Sequence, residues 1–256
     1  MTTERTVDLA RRAATYAALA DTTRLQIVDL LSVGDLSVSE VGTSLNVPSN
    51  LLAHHLNVLV DAGLITRHRS EGDRRRHYLT LTRDHPTTDD TGAAALGGMP
   101  RITTPQRVLF VCTANTARSH LAAALWRQAS HITAASAGTH PGTEINPKAR
   151  AAAERHGITL PKTKPRALDP QRRSGDLLIT VCDRAHEELG DQGWAHWSIP
   201  DPVTQGTNRA FDTALEQLNA RVQALAPQLD HSPDRRQPGS ARSQQTPPTV
   251  ESQPRR

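Results

Sequence analysis

A cysteine stands where an apolar run ends and a polar loop begins. Residues 108–111 are Val-Leu-Phe-Val, Cys112 follows, and Arg118 and Ser119 close a loop of small and polar residues. The run predicts a short buried strand, and residues 119–128 are typical of a helix. Free N–H groups and the dipole at the start of that helix would bind a tetrahedral oxyanion and favour the thiolate form of Cys112. We therefore predict that Cys112 is a nucleophile, rather than a buried structural cysteine.

The loop that follows Cys112 should form the anion site. Arg118 can hold two oxygens of an oxyanion in bidentate fashion, and the backbone amides of the loop add further donors. The predicted oxyanion-binding residues are Thr113, Ala114, Asn115, Thr116, Ala117, Arg118 and Ser119.

A second chemical group follows much later in the chain. Asp201 lies between Pro200 and Pro202, so it should sit on a stiff loop at the end of a predicted strand. A rigidly held carboxyl group near the anion can donate a proton to a leaving oxygen, whereas the alternative is an ordinary turn aspartate. We predict that Asp201 is the general acid that works with Cys112 and Arg118.

Predicted strands and helices alternate around these residues. Strands are predicted at 108–111, 132–138, 176–182 and 196–199, and helices at 119–128, 146–156, 184–189 and 210–229. This alternation predicts an α/β domain with a four-stranded parallel sheet flanked by helices. The loop after Cys112 would lie at the carboxyl edge of the sheet, where such folds bind ligands.

The stretch Val-Leu-Phe-Val-Cys-Thr-Ala-Asn-Thr-Ala-Arg-Ser resembles the active-site loop of the low-molecular-weight tyrosine phosphatase and thiol-dependent arsenate reductase superfamily. The resemblance spans about residues 107–229 and implies that the Asp201-Pro202 pair supplies the proton donor. Phosphatases of the superfamily usually have an aromatic residue after that pair and a proline after Arg-Ser, whereas this chain has Val203 and His120. Cys112-Thr113 and residues 196–202 look more like arsenate reductases, so arsenate is the preferred substrate.

The resemblance leaves the second thiol of an arsenate reductase open. Thioredoxin-coupled relatives use three cysteines, and Cys182 matches the second, but the short helix after it has no cysteine. Either Cys182 closes a disulfide with Cys112, or an external thiol attacks directly and Cys182 is a core residue. The implied reductants are mycothiol with mycoredoxin, glutathione with glutaredoxin, or thioredoxin; no bound cofactor and no metal site are predicted.

The first 83 residues predict a winged helix-turn-helix domain, mainly α-helical with a β-hairpin as the wing. Helices are predicted at 7–20, 24–32, 37–45 and 49–62, with Leu25, Val28 and Leu31 on one apolar face, and a hairpin follows at 64–81. The fourth helix would read operator DNA and the arginines of the hairpin would contact phosphates. The predicted DNA-binding residues are Ser49, Asn50, His54, Arg74, Arg75 and Arg76.

Residues 17–28 and 51–65 resemble the metalloregulatory repressors of the arsenic-responsive type. The resemblance covers about residues 13–82 and implies a homodimer on a palindromic operator. Members that sense arsenite carry two cysteines near the third helix, where this chain has Ser37 and Ser39. Hydroxyl groups are poor ligands for arsenite, so this sensing site is absent. His54 and His55 are interpreted as a DNA contact and a packing residue.

Composition sets the remaining expectations. The chain has 256 residues with 30 Lys and Arg against 26 Asp and Glu, so its net charge of +4 is too small to argue for nucleic-acid binding by itself. Two cysteines exclude a disulfide framework, and neither a membrane span nor a signal peptide is evident, so we expect a cytoplasmic location without a membrane partner. The predicted divisions are 1–83, a flexible linker at 84–106, 107–229, and a disordered tail at 230–256.

The favoured function is a DNA-binding regulator fused to a thiol-dependent arsenate reductase. One alternative is a phosphatase that acts on a phosphoprotein or a small phosphate ester. The other is a non-enzymatic sensor in which an oxyanion or arsenical controls DNA binding without being transformed.

Overall fold

The computed structural model describes residues 2–82, 105–169 and 175–230, and the side chains from residue 9 onward. The first part is a winged helix-turn-helix unit, and its elements are α1 (Thr2–Leu19), α2 (Thr22–Val33), β1 (Leu36–Ser37), α3 (Val38–Leu45), α4 (Ser49–Asp61), β2 (Ile65–Arg69) and β3 (His77–Leu81). The strands form an antiparallel sheet in the order β1-β3-β2. Strands β2 and β3 are the predicted wing, and β1 is an additional strand that the sequence pattern did not reveal.

Side-chain caps set where the helices of this unit begin. The Asp21 carboxylate accepts a hydrogen bond from the Arg24 amide at 2.9 Å, at the start of α2. Ser37 and Glu40 form the predicted capping box of α3, with Ser37 Oγ accepting from the Glu40 amide at 3.2 Å. The apolar face of α2 differs from the prediction, because Leu25 is 39% exposed and Ile27 is fully buried in its place.

The second part contains the predicted four-stranded parallel sheet, in the order β5-β4-β6-β7. Its elements are β4 (Arg107–Cys112), α5 (Arg118–Ala129), β5 (Thr133–Gly138), α6 (Pro147–Arg155), β6 (Asp176–Thr180), α7 (Asp183–Leu189), β7 (Ala195–His196), α8 (Pro202–Gln205) and α9 (Asn208–Asp230). Helix α9 packs against α5 and α6. The core includes the large buried rings of Phe110, Trp126, Trp197 and Phe211.

Two predicted strands have different limits. Strand β6 ends at Thr180, so Cys182 lies beyond it and is the N-cap residue of α7. Strand β7 covers only Ala195–His196, whereas the predicted strand runs from 196 to 199. Residues 83–104 and 231–256 lie outside the described residues. They include almost all of the predicted linker and, apart from Asp230, all of the predicted tail. None of the described helices is long and apolar enough to cross a membrane.

The two parts pack together through the turn between α2 and β1. The Asp35 carboxylate binds the Arg221 guanidinium in bidentate fashion, at 3.1 and 2.7 Å, and accepts from the Ser198 amide at 2.6 Å. The indole N–H of Trp197 donates to the Val33 carbonyl at 3.0 Å. A Cβ atom on Gly34 would lie 2.7 Å from the His196 carbonyl oxygen, so this close approach requires glycine.

Candidate active site

Cys112 is the last residue of β4, and its sulfur receives two hydrogen-bonding groups. The Asn115 amide donates to Cys112 Sγ at 3.2 Å, and the Ser119 hydroxyl lies 3.1 Å from the same atom. Asn115 adopts a left-handed backbone conformation, with φ of +51°, which turns the loop back toward the sulfur. Its side-chain amide also donates to Ser119 Oγ at 2.8 Å, so the hydroxyl is held in place. This environment suits a nucleophile, because N–H and O–H groups directed at the sulfur are the contacts that an attacking sulfur atom can use.

The loop turns its carbonyl groups away from the site. A neighbouring segment donates to them through the amides of Thr139, His140, Gly142 and Asn146, which bind the carbonyl oxygens of Cys112, Thr113, Ala114 and Thr116 at 3.1, 2.8, 2.9 and 2.9 Å. Gly138 lets this segment approach, because a Cβ atom there would lie 2.6 Å from the Thr113 oxygen. With these carbonyls engaged outside, the loop can present N–H groups to an anion beside Cys112.

Arg118 opens α5 and is almost completely buried beside the loop. Its Nη1 atom donates to the Ile199 carbonyl at 2.8 Å, and its Nη2 atom lies 3.2 Å from Asp201 Oδ1. Burial alone would lower the pKa of Arg118, but neighbouring negative charges, including the Asp201 and Glu71 carboxylates, raise it above its usual value. The guanidinium is therefore a fixed positive charge at the base of the site.

Asp201 reaches the site from the turn that precedes α8, on the far side of Arg118. Its Oδ1 atom accepts from the Val203 amide at 3.2 Å, and its Oδ2 atom accepts from the Thr204 hydroxyl at 3.0 Å. These bonds make Asp201 the N-cap of α8 and fix its carboxyl group. The structure thus brings together Cys112, Arg118 and Asp201, which the sequence singled out separately.

The second thiol lies at the same cavity. Cys182 Sγ accepts from the Thr113 amide at 3.3 Å and lies 3.4 Å from the Thr113 hydroxyl. Burial raises the pKa of Cys182, and the nearby Arg118 offsets this only in part. Cys182 therefore favours the protonated thiol at neutral pH.

A cavity of about 520 Å³ opens above Cys112. Its walls include the predicted residues Thr113, Ala114, Thr116, Ala117, Arg118, Cys182 and Asp201, together with Asp183, Arg184, Val203 and Thr204. Four more residues come from the wing, namely Arg69, Ser70, Glu71 and Arg74. No aromatic side chain is among the described residues that line it.

Wing residues at this cavity were not predicted as part of it. Glu71 Oε2 lies 3.5 Å from Arg118 Nη1, and the Glu71 carboxylate accepts from the Asp201 amide at 2.9 and 3.0 Å. No local pattern could have revealed this contact, because it depends on how the two parts of the chain pack.

The predicted DNA-binding residues fall into two groups. Ser49, Asn50 and His54 lie on the exposed face of α4, whereas His55 is buried and lies 3.5 Å from Asp21. In the wing, Arg74, Arg75 and Arg76 are exposed, but Arg74 lines the Cys112 cavity and Arg75 pairs with Asp73 at 3.0 Å. The α4 surface is therefore open, while the tip of the wing rests against the second part of the chain.

Different protein families match the two parts of the chain. The profile for "Low molecular weight phosphotyrosine protein phosphatase" matches residues 107–235, and that for "Bacterial regulatory protein, arsR family" matches residues 21–67. The transcriptional repressor SdpR of Bacillus subtilis is 37% identical over 54 residues, which are 21% of this chain and 60% of that protein. This chain thus spans less than two thirds of the length of that repressor.

Two further comparisons each match one part of the chain. An arsenical resistance operon repressor of Staphylococcus xylosus is 32% identical, covering 30% of this chain and 80% of that protein. A crystal structure of arsenate reductase from Archaeoglobus fulgidus aligns with 47% of this chain and 98% of that chain, at 28% identity and a TM-score of 0.41. The chain belongs to the low molecular weight phosphotyrosine protein phosphatase family through its second part, and to the arsR family of bacterial regulatory proteins through its first.

Proposed function

We propose that this chain is a DNA-binding regulator fused to a thiol-dependent arsenate reductase. The observation that carries the enzymatic half is the convergence of Cys112, Arg118 and Asp201 on one cavity, with Asn115 and Ser119 directing donors at the sulfur. A nucleophile, a fixed cation and a carboxyl group are the three components that attack on a tetrahedral oxyanion requires.

The first step joins sulfur to arsenic. Arg118 and the loop amides hold arsenate, and the Cys112 thiolate attacks arsenic to form an S–As bond. Asp201 gives its proton to the departing oxygen, which leaves as water once the As–O bond breaks.

The second step is the reduction. A thiol attacks the Cys112 sulfur, an S–S bond forms, and the S–As bond breaks with its electron pair remaining on arsenic, which leaves as arsenite. A second equivalent of thiol then attacks the mixed disulfide and regenerates Cys112. In total two thiols become one disulfide, and arsenate becomes arsenite and water.

We propose that the attacking thiol is external, from mycothiol with mycoredoxin, glutathione with glutaredoxin, or thioredoxin. Cys182 is a poor candidate because burial raises its pKa and Thr113 holds its sulfur. In this proposal Cys182 is a packing residue that supports the loop.

A phosphomonoesterase is the second candidate, because the same three residues would transfer a phosphoryl group to Cys112 and then to water. The wall of the cavity disfavours one class of ester, the phosphotyrosines. Val203 follows Asp201-Pro202, and no described residue of the wall offers a ring on which a phosphotyrosine could stack.

The deciding experiment measures arsenite formation by the reduced, purified chain with each reductant, beside hydrolysis of p-nitrophenyl phosphate without thiol. We expect arsenite formation that depends on thiol and disappears in the Cys112→Ser variant. Rapid ester hydrolysis with no arsenite formation from any reductant would establish the phosphatase instead. An arsenic response in cells that persists in Cys112→Ser would favour the non-enzymatic sensor.

For the first part, we propose that α4 binds operator DNA through Ser49, Asn50 and His54. All three are exposed on one helix, as base-reading residues must be. We further propose a homodimer, consistent with the exposed apolar side chains of Leu9 and Tyr16 on α1. Sedimentation of the chain with and without a selected duplex would measure both.

A further inference from the structure

The wing places a carboxylate on the residue that should bind the substrate. Glu71 Oε2 is 3.5 Å from Arg118 Nη1, and both Glu71 oxygens accept from the Asp201 amide. A carboxylate presents two oxygens to a guanidinium much as an oxyanion does. Glu71 therefore offers Arg118 an anionic partner from within the same chain.

Helix α7 holds the wing in this position. The Glu71 amide donates to Asp183 Oδ2 at 2.8 Å, and the Asp73 amide donates to Glu187 Oε2 at 2.6 Å. Glu187 Oε1 also accepts from the hydroxyl groups of Ser70 and Tyr78, at 2.7 and 3.2 Å. These polar bonds hold the tip of the wing, residues 70–73, against α7, whereas the Tyr78 ring of β3 is fully buried with its centroid 4.8 Å from that of His196. Docking of the tip therefore depends on polar contacts, while the rest of the wing stays packed.

A bound oxyanion would make this arrangement less favourable. Arsenate or phosphate at the loop would carry its negative charge beside Arg118, close to the Glu71 carboxylate. The two anions would repel one another and share one guanidinium. Linkage is reciprocal. If the docked wing lowers the affinity for the anion, then binding of the anion weakens docking of the wing by the same free energy.

We propose that Glu71 is an internal competitor of the substrate oxyanion at Arg118, so that oxyanion binding and wing docking oppose each other. Glu71 is then an affinity-determining residue for the substrate, and an oxyanion that enters the pocket loosens the tip of the wing. This inference rests on the proposed function for the location of the oxyanion site.

The first measurement is the affinity of the full, reduced chain for inorganic phosphate, by calorimetry. Glu71→Gln keeps an acceptor for the Asp201 amide and removes the charge, so we expect phosphate to bind about fivefold more tightly. Glu187→Gln loosens the wing without altering any group at Arg118, and it should tighten binding in the same direction. Glu188→Gln is the matched control, since Glu188 lies beside His140 at 3.4 Å instead, and it should change nothing.

The second measurement is hydrogen exchange at the Glu71 and Asp73 amides, which report on docking directly. Phosphate should speed their exchange in the wild-type chain and have less effect in Glu71→Gln. An affinity of Glu71→Gln within twofold of the wild type, or slower exchange on adding phosphate, would overturn the inference.

These outcomes separate the inference from the proposed function. If Glu71→Gln binds phosphate more tightly and phosphate speeds exchange at the wing amides, but arsenate is never reduced, only the proposed reductase is contradicted. A chain that reduces arsenate, but whose wing ignores phosphate, would contradict the inference only. If phosphate does not bind at all, the inference is wrong, whereas the proposed reductase is still decided by arsenite formation.

Discussion

The Glu71 carboxylate lies 3.5 Å from the Arg118 guanidinium, although one residue belongs to the wing and the other to the loop after Cys112. The cavity beside Cys112 is therefore composite, since its wall includes side chains of the winged helix-turn-helix unit. The two parts of the chain therefore share a surface at this cavity, which is the contact on which the proposed coupling depends.

Replacing Asp201 with Asn should slow the chemical step. The amide cannot donate a proton to the departing oxygen, so kcat for arsenate should fall by about 10²- to 10⁴-fold. Phosphate should bind at least as tightly, because Asn keeps an acceptor for the Val203 amide and removes a negative charge beside Arg118. Steady-state kinetics and calorimetry test the two halves, and unchanged kcat would remove Asp201 from the mechanism.

Replacing Cys182 with Ser should leave arsenate reduction by an external thiol within about threefold of the wild-type rate. The serine hydroxyl can still accept from the Thr113 amide, which preserves the loop. Quenched-flow measurement of arsenite release provides the check. A loss comparable to that of Cys112→Ser would instead assign Cys182 the role of resolving thiol.

The buried imidazole of His120 should make stability depend on pH. Burial, followed by the positive charges of Arg166, Arg127 and Arg150, lowers the pKa of His120 to about 4. In the unfolded chain, His120 is protonated near pH 6.5. The contribution of neutral His120 to the free energy of unfolding is therefore fully present above pH 6.5 and is lost as pH falls toward 4. The loss should reach about 3 kcal/mol.

The His120→Asn variant tests this, because the amide can replace the contact of Nδ1 with Ser136 without titrating. Urea denaturation at a series of pH values should show a flatter profile for the variant between 6.5 and 4. Some slope should persist, since burial also lowers the pKa of His196. Parallel profiles for the two proteins would contradict the assignment.

The Asp35–Arg221 ion pair should stabilise the packing of the two parts. Asp35→Ala leaves the buried Arg221 without its carboxylate and should cost about 3–5 kcal/mol. Asp212→Ala is the matched control, on the helix α9 that also carries Arg221. The ion pair of Asp212 with Arg155 is more exposed and is worth about 0–1 kcal/mol. Equal shifts of the urea midpoint in the two variants would show that the buried pair has no special role.

Two variants should separate sequence reading from phosphate contact on DNA. Asn50→Ala removes a side chain able to bind base edges and should cost about 1–3 kcal/mol on a selected duplex, with an unchanged salt slope. Arg75→Ala should weaken binding to all duplexes alike and reduce the salt slope by about 1. Fluorescence anisotropy at several salt concentrations measures both, and identical salt slopes for Arg75→Ala and the wild type would place Arg75 away from the phosphates.

The grouping of Cys112 with Arg118 and Ser119 was predictable from the sequence because it depends on local structure. A strand, a loop of fixed length and a helix start place Cys112, Arg118 and Ser119 together wherever that pattern folds. Capping and turn residues act over the same short range, which is why the start of α3 at Ser37 was predictable. Asp201 was predictable from its flanking prolines and from the resemblance, and the parallel sheet brings it to Arg118.

The sequence by itself therefore determined the two families, the parallel sheet and the chemical groups of the candidate site. Only the tertiary structure placed Glu71 on Arg118, turned Leu25 outward and added β1 to the wing sheet. These features depend on how separate surfaces complement each other in shape and charge. Hydrophobic periodicity and helix capping act over only a few residues, and so they contain no information about which distant surfaces will meet.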